Sequence, residues 1–164
     1  MSSNYTVAAI DCGTNSIRLL IASAGPDGRL VEQARDLELV RLGQGVDATG
    51  SFHPDALERT FSACRTFAKT ISDHHCDQVR FVSTSAARDV SNRDDFFTGV
   101  RDALDVDAEI IDGTEEASLS FAGAMSGVQV TDEPVLVIDC GGGSTELVLG
   151  YGTTIDSQAS LEVG

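Results

Sequence analysis

Residues 10 to 21 read IDCGTNSIRLLI, and residues 138 to 149 read IDCGGGSTELVL. The two stretches are 128 residues apart, and six of their twelve positions are identical. Each contains an apolar run, an aspartate, a glycine turn with hydroxyl side chains and a second apolar run, which is the pattern of a β-hairpin. Glycine lets the backbone approach an anion and direct N–H groups toward it, and the aspartate can reach a metal ion or its water shell. The repeat therefore predicts two related phosphate-binding hairpins.

The sequence around the first copy predicts an α/β fold that opens with three antiparallel strands. Thr6 to Asp11 and Ile17 to Ala24 form the hairpin, residues 25–28 form a turn, and Arg29 to Leu42 alternates as a third strand before a loop at residues 43–50. Four further elements are predicted: a helix from Pro54 to about His74, a strand from Gln78 to Ser83, a helix from Arg93 to Leu104 and a strand from Ala108 to Ile111. Because these strands alternate with helices, they should join the sheet in parallel.

A third helix is predicted to begin at Gly113 and to reach about Met125. Thr114 is its expected N-cap, and Glu115 and Glu116 occupy its first turn, where the helix dipole favours acidic residues. A linker at residues 126–133 then precedes two strands, Val135 to Asp139 and Glu146 to Gly150, which flank the second glycine turn.

The charge is distributed unevenly along the chain. Residues 1–101 contain 13 acidic and 11 basic residues, whereas residues 102–164 contain 13 acidic residues and no basic one, which brings the net charge to −15. Because nucleic acids and anionic membranes require a basic surface, both are excluded as expected partners. The only lysine, Lys69, lies in a helical pattern, so a Walker-type phosphate site is excluded as well.

Other classes of site and compartment are disfavoured by the remaining patterns. The glycine turns lie between strands, whereas a dinucleotide-binding fold needs a strand that runs into a helix. The four cysteines are scattered without a paired spacing, so neither a zinc site nor a disulfide framework is predicted. No secretory signal or membrane-spanning run is recognisable, and the expected location is cytoplasmic.

Four segments, taken in order, resemble the motifs of the exopolyphosphatase and guanosine pentaphosphate phosphatase family. They read AIDCGTNS at residues 9–16, STSAAR at 83–88, IIDGTEEA at 110–117 and VIDCGGGSTELV at 137–148. The family belongs to the superfamily of actin, Hsp70 and sugar kinases. The resemblance therefore implies a first ribonuclease H-like (actin-like ATPase) lobe at residues 1–127 and the incomplete start of a second, similar lobe at residues 134–164. Because an incomplete lobe cannot cover its sheet, this chain alone is expected to be weakly active or inactive.

The resemblance also implies an activity, a cofactor and roles for particular residues. It implies a hydrolase of phosphoanhydride bonds that releases the terminal phosphate of inorganic polyphosphate or guanosine pentaphosphate with a divalent cation, usually Mg²⁺, and that acts as a homodimer. Glu116 would activate the attacking water, Arg88 would bind a phosphate oxygen, and Asp139, supported by Glu146 and Asp11, would hold the metal. The expected phosphate-binding residues are Gly13, Thr14, Asn15, Ser16, Gly141, Gly142, Gly143 and Ser144.

Simpler interpretations of these residues remain open at the level of sequence. Glu115 and Glu116 could be acids that only favour the helix start, and the sequence does not decide which of them faces a cleft. Arg88 could cap a carbonyl or pair with Asp89, and Glu146 could be an ordinary acid on a strand face. Two alternative functions are a nucleotide or alarmone sensor without turnover and a kinase of the same superfamily.

Overall fold

The computed structural model describes residues 5–26, 29–88, 90–128 and 133–164. Its contacts divide the chain into two compact units, Met1–Ile110 and Ile111–Gly164. In the described part of the chain, no helix combines the length and the apolar character needed to cross a membrane.

The first unit is built on a five-stranded mixed sheet. Strands β1 (Thr6–Cys12), β2 (Ser16–Ala24) and β3 (Leu30–Leu39) form an antiparallel meander. Strands β4 (Gln78–Ser83) and β5 (Ala108–Ile110) then add in parallel, which gives the order β3-β2-β1-β4-β5. The predicted mixed α/β fold is confirmed. The predicted turn at residues 25–28 lies partly outside the described residues, because residues 27 and 28 are not among them.

In the described part of this unit, three α-helices follow the meander. Helix α1 (Val46–Thr49) lies within the predicted loop, between Gly45 and Gly50, which both have left-handed φ angles. Helix α2 (Pro54–Asp73) begins with proline at its first position, and helix α3 (Arg93–Leu104) matches its predicted bounds. The buried positions of α2 follow helical spacing: Ala56, Leu57, Thr60, Ala63, Cys64 and Phe67.

The core of the first unit lies between this sheet and its helices. Ile17, Leu19 and Ile21 alternate along β2 and are all at most 1% exposed, as the period of a strand requires. Phe96 of α3 contacts the ring of Phe81 at a centroid distance of 6.0 Å. Burial of such side chains contributes about 1.5–3 kcal/mol each, so this core fixes the end of the sheet from which the first glycine turn projects.

The second unit consists of one helix packed on a three-stranded antiparallel sheet. Helix α4 (Gly113–Ser126) lies against β6 (Val135–Cys140), β7 (Thr145–Tyr151) and β8 (Thr154–Leu161), which pair in the order β6-β7-β8. The core of this unit consists of Ala117, Phe121 and Met125 of α4 and Val148 of β7, with Val135, Val137 and Ile155 packed around them.

Helix α4 belongs to the second compact unit, because its buried face packs on β6 to β8. That a first lobe ends at residue 127 stays a prediction. The predicted N-cap at Thr114 is wrong: the N-cap is Asp112, two residues earlier, whose carboxylate accepts a hydrogen bond from the Glu115 amide at 2.8 Å. That residues 134–164 begin an incomplete lobe stays a prediction.

Two glycines of this unit give a matched test of its packing. A side chain at Gly150 would overlap the carbonyl oxygen of Thr154 and the ring of Phe121, whereas a side chain at Gly123 would meet no atom within 4 Å. We expect Gly150→Ala to destabilise the unit by about 1–3 kcal/mol through overpacking. Gly123→Ala should stabilise it by about 0.5–1 kcal/mol, because alanine loses less entropy in a helix. Thermal unfolding of the two variants should therefore shift in opposite directions, and shifts of the same sign would contradict this packing.

Candidate functional site

The first glycine turn projects from the ends of β1 and β2. The Gly13 amide donates to the Ser16 carbonyl at 3.0 Å and closes the turn. Just before the turn, Asp11 lies opposite Arg18 in the strand register, and Arg18 Nη1 is 3.8 Å from Asp11 Oδ2. Both side chains are about half exposed, so this ion pair is weak. It nevertheless places the positive charge of Arg18 beside the Asp11 carboxylate.

Neighbouring segments hold the first turn through its carbonyl groups. Asn15 O accepts hydrogen bonds from the amides of Val40 and Arg41 at 3.1 and 2.9 Å, and Thr14 O accepts one from Gly43 at 2.9 Å. The hydroxyls of Thr14 and Ser85 lie 3.3 Å apart. Among the described residues, the amides of Thr14 and Asn15 have no acceptor. These two N–H groups are therefore the ones that a phosphate oxygen can use.

Arg88 follows a short 3₁₀ turn, Ser85–Ala87, beyond the end of β4. Because β1 and β4 are parallel neighbours, their carboxyl ends place this segment beside the first glycine turn. Ser83 Oγ donates to the Cys12 carbonyl at 3.0 Å and ties the two strand ends together. Arg88 is half-buried. Asp89, its alternative partner, lies outside the described residues.

The second glycine turn has the same backbone geometry as the first. Gly141 N donates to the Ser144 carbonyl at 2.9 Å, which is the counterpart of the Gly13 to Ser16 bond. Asp139 pairs with Glu146 in the strand register, as Asp11 pairs with Arg18. The repeat seen in the sequence is therefore a structural repeat. Thr145 Oγ1 donates to the Val163 carbonyl at 2.6 Å, so residues near 163 lie beside this turn.

The paired carboxylates of Asp139 and Glu146 are the feature that distinguishes the second hairpin. Both residues lie on the face of the sheet that packs against α4, next to the register pair of Val137, which is partly buried, and Val148, which is buried. Glu146 is only 1% exposed, and its Oε1 accepts a hydrogen bond from Ser160 Oγ at 2.8 Å. Two like charges opposite each other on a sheet destabilise it. The position taken by Arg18 in the first hairpin is thus taken by a second acid in this one.

Helix α4 brings Glu116 into the same unit as this carboxylate pair. The Ser120 hydroxyl donates a hydrogen bond to Asp139 Oδ2, and Glu116 lies one helical turn before Ser120. Glu115 is exposed, whereas Glu116 is half-buried beside Ala117, which is fully buried. Among the described residues, no three histidine, cysteine, aspartate or glutamate side chains form a metal-binding group by themselves.

The predicted site residues therefore fall into two groups. The second unit brings together Glu116, Asp139, Glu146 and the turn at residues 141–144, and the first unit brings together Asp11, the turn at residues 13–16 and Arg88. Sequence reasoning missed Arg18, Ser120 and Ser160, which touch the predicted carboxylates. The signals were available for two of them, because Arg18 is the repeat counterpart of Glu146 and Ser120 lies four residues after Glu116.

The equivalent cysteines of the two hairpins lie in different surroundings. Burial, with smaller effects from Cys64 and Asp11, raises the pKa of the Cys12 thiol well above its usual range. The same cause raises the pKa of Cys64 to about 12. Both thiols are neutral at physiological pH and serve as small core residues. Cys140, the counterpart of Cys12, is exposed.

A comparison with known families matches residues 22–164 to the Ppx/GppA phosphatase family. The chain belongs to the Ppx/GppA phosphatase family. Among its curated relatives, exopolyphosphatase 2 of Mycobacterium tuberculosis is 51% identical over 166 residues, which cover 96% of this chain and 52% of that protein. This Ppx/GppA chain therefore spans about half the length of that relative. The resemblance read from the four motifs is confirmed.

Solved structures of Ppx/GppA proteins share the fold of this chain. An exopolyphosphatase from Cytophaga hutchinsonii is 31% identical and superposes with a TM-score of 0.91 over 97% of this chain and 51% of its own. The Ppx/GppA family member of Aquifex aeolicus is also 31% identical, with a TM-score of 0.84 over 97% of this chain and 51% of its own. The mixed α/β architecture is thus the architecture of the family.

Proposed function

We propose that the whole protein is a hydrolase that releases the terminal phosphate of inorganic polyphosphate. The observation that carries the proposal is the pair of opposed carboxylates, Asp139 and Glu146, on the sheet covered by the helix that bears Glu116. Like charges directly opposite each other destabilise a sheet, and a cation bound between them would remove that repulsion. The relative that is 51% identical is named exopolyphosphatase 2, which supports polyphosphate as the substrate.

The residues present suit a magnesium ion. Mg²⁺ prefers oxygen ligands and is usually held by one or two carboxylates, with substrate phosphates and waters completing its shell. Asp139 and Glu146 supply two such carboxylates directly opposite each other in the strand register. When bound, the cation would neutralise charge on the phosphate and polarise its oxygens. Asp11, the third expected ligand, lies in the first unit and is paired with Arg18, and its role at the metal stays a prediction.

In the proposed reaction, the chain's own residues bind the substrate and move one proton. In the first unit, the amides of Thr14 and Asn15 and the Arg88 guanidinium are the groups suited to phosphate oxygens. A water oxygen forms a bond to the terminal phosphorus while the bridging P–O bond breaks. The Glu116 carboxylate accepts the proton that the water loses, and the shortened polyphosphate leaves with the bonding electron pair.

The remaining expectations stay predictions. Guanosine pentaphosphate offers the same terminal phosphoanhydride chemistry. Relatives also carry other phosphatase names: one is a bifunctional 3-dehydroquinate synthase/phosphatase of Fusobacterium nucleatum, which is 36% identical over 98% of this chain and 25% of its own length. The homodimer, the cytoplasmic location and the inactivity of this chain alone also stay predictions.

The proposal is tested by assaying the whole protein on polyphosphate, guanosine pentaphosphate and ATP with and without Mg²⁺. We expect inorganic phosphate to be released fastest from polyphosphate, and only when the cation is present. Tight binding of the alarmone without phosphate release would instead identify a sensor. Transfer of phosphate to an acceptor, with no inorganic phosphate formed, would identify a kinase.

A further inference from the structure

Ser120 connects the helix that bears Glu116 to the strand that bears Asp139. Its hydroxyl donates to Asp139 Oδ2, and both residues are half-buried. Residues four positions apart lie on one face of a helix, so Ser120 shares a face with Glu116. We propose that Ser120 is a positioning residue, which holds the Asp139 carboxylate in the orientation that binds the cation. This inference rests on the proposed function, because that function assigns Asp139 to the cation.

The direction of the Ser120 hydroxyl is unusual in this protein. Serine and threonine within a helix commonly donate to the backbone carbonyl four residues earlier. Other helical hydroxyls here do so: Thr60 donates to Ala56 O, Thr66 to Ser62 O and Ser118 to Thr114 O. Ser120 instead donates across to the sheet. The single hydroxyl proton of Ser120 is therefore used in the hydrogen bond to the Asp139 carboxylate.

The bond to Ser120 selects which oxygen of Asp139 is left for a ligand. Among the described residues, Ser120 is the only side chain that hydrogen-bonds to Asp139, and it uses Oδ2, so Oδ1 remains available. Without this bond, repulsion from Glu146 would turn the Asp139 carboxylate away from its partner. The hydroxyl keeps the two carboxylates facing each other before the cation arrives, which is the role that outer partners of metal ligands usually have.

The test measures cation binding directly, in the whole protein and without substrate. Mn²⁺ is the probe, and its binding is followed by electron paramagnetic resonance in Ser120→Ala, Ser120→Thr and the matched control Ser118→Ala. We expect Ser120→Ala to weaken Mn²⁺ binding about 10- to 100-fold, which is the usual loss when an outer partner of a ligand is removed. Ser120→Thr keeps the hydroxyl and should recover most of the affinity, and Ser118→Ala should bind Mn²⁺ as the parent protein does.

The outcomes separate positioning from a merely structural role. Alanine is a better helix former than serine, so Ser120→Ala should not lower the thermal midpoint. Unchanged Mn²⁺ affinity in Ser120→Ala overturns the proposal, even if kcat falls. If the whole protein releases no phosphate from polyphosphate but Ser120→Ala still weakens Mn²⁺ binding, the proposed function fails and the positioning role stands.

Discussion

Replacing Glu116 by glutamine in the whole protein is expected to lower kcat for phosphate release from polyphosphate by about 10²- to 10⁴-fold, the usual contribution of a general base. Glutamine has the same shape but cannot accept the proton from the attacking water. The KM for polyphosphate should stay close to the parent value, because the substitution leaves the proposed phosphate-binding residues unchanged. Phosphate release and KM are measured across a range of Mg²⁺ concentrations.

Glu115 provides the control for this substitution. It lies next to Glu116 in the same helical turn but is exposed, whereas Glu116 is half-buried. Glu115→Gln should therefore retain turnover and should unfold at the same temperature as Glu116→Gln. If Glu115→Gln loses activity and Glu116→Gln keeps it, the roles of the two glutamates are reversed and the assignment of the base is wrong.

The second large effect is expected at Glu146, where stability and function should change in opposite directions. Glu146→Gln removes one of two facing charges but keeps an oxygen that can accept from Ser160. The variant should be more stable than the parent by about 0.2–1 kcal/mol, because like charges opposite each other destabilise a sheet. Its cation binding and phosphate release should both fall by more than about 100-fold, since Glu146 is proposed as a direct ligand rather than an outer partner.

The matched control for Glu146 is Glu38, a glutamate on β3 of the first unit that is exposed. Glu38→Gln removes the same charge far along the chain from the carboxylate pair and should change neither Mn²⁺ binding nor turnover. A Glu146→Gln variant that is less stable than the parent while it still binds Mn²⁺ would show that Glu146 is a structural acid.

The sheet elements could be predicted from the sequence because their signals are local. Alternation of apolar residues identified β1, β2 and β3, and the bounds predicted for β4 and α3 agree with the structure. Proline at the first position of α2 fixed its start. The repeat also predicted the second hairpin, whose turn closes with the same Gly-to-Ser hydrogen bond as the first.

The position of α4 could not be predicted from its own residues. The buried spacing of Ala117, Phe121 and Met125 shows that the helix covers a sheet but does not say which one. Only the tertiary contacts show that α4 covers the sheet of β6 to β8, and they place Glu116 in the unit that bears Asp139 and Glu146. The hydrogen bond from Ser120 to Asp139 could not be predicted either, because it joins residues 19 positions apart in the sequence.

The shared geometry of the two hairpins has a consequence for protein design. Their turns close with the same bond, and their aspartates sit at the same register position, yet one aspartate faces Arg18 and the other faces Glu146. One backbone therefore carries two charge arrangements, and the residue seven places after the aspartate decides whether the aspartate faces an opposite charge or a like charge. A designer could reuse this turn in a new sheet and set the local charge by varying that single position.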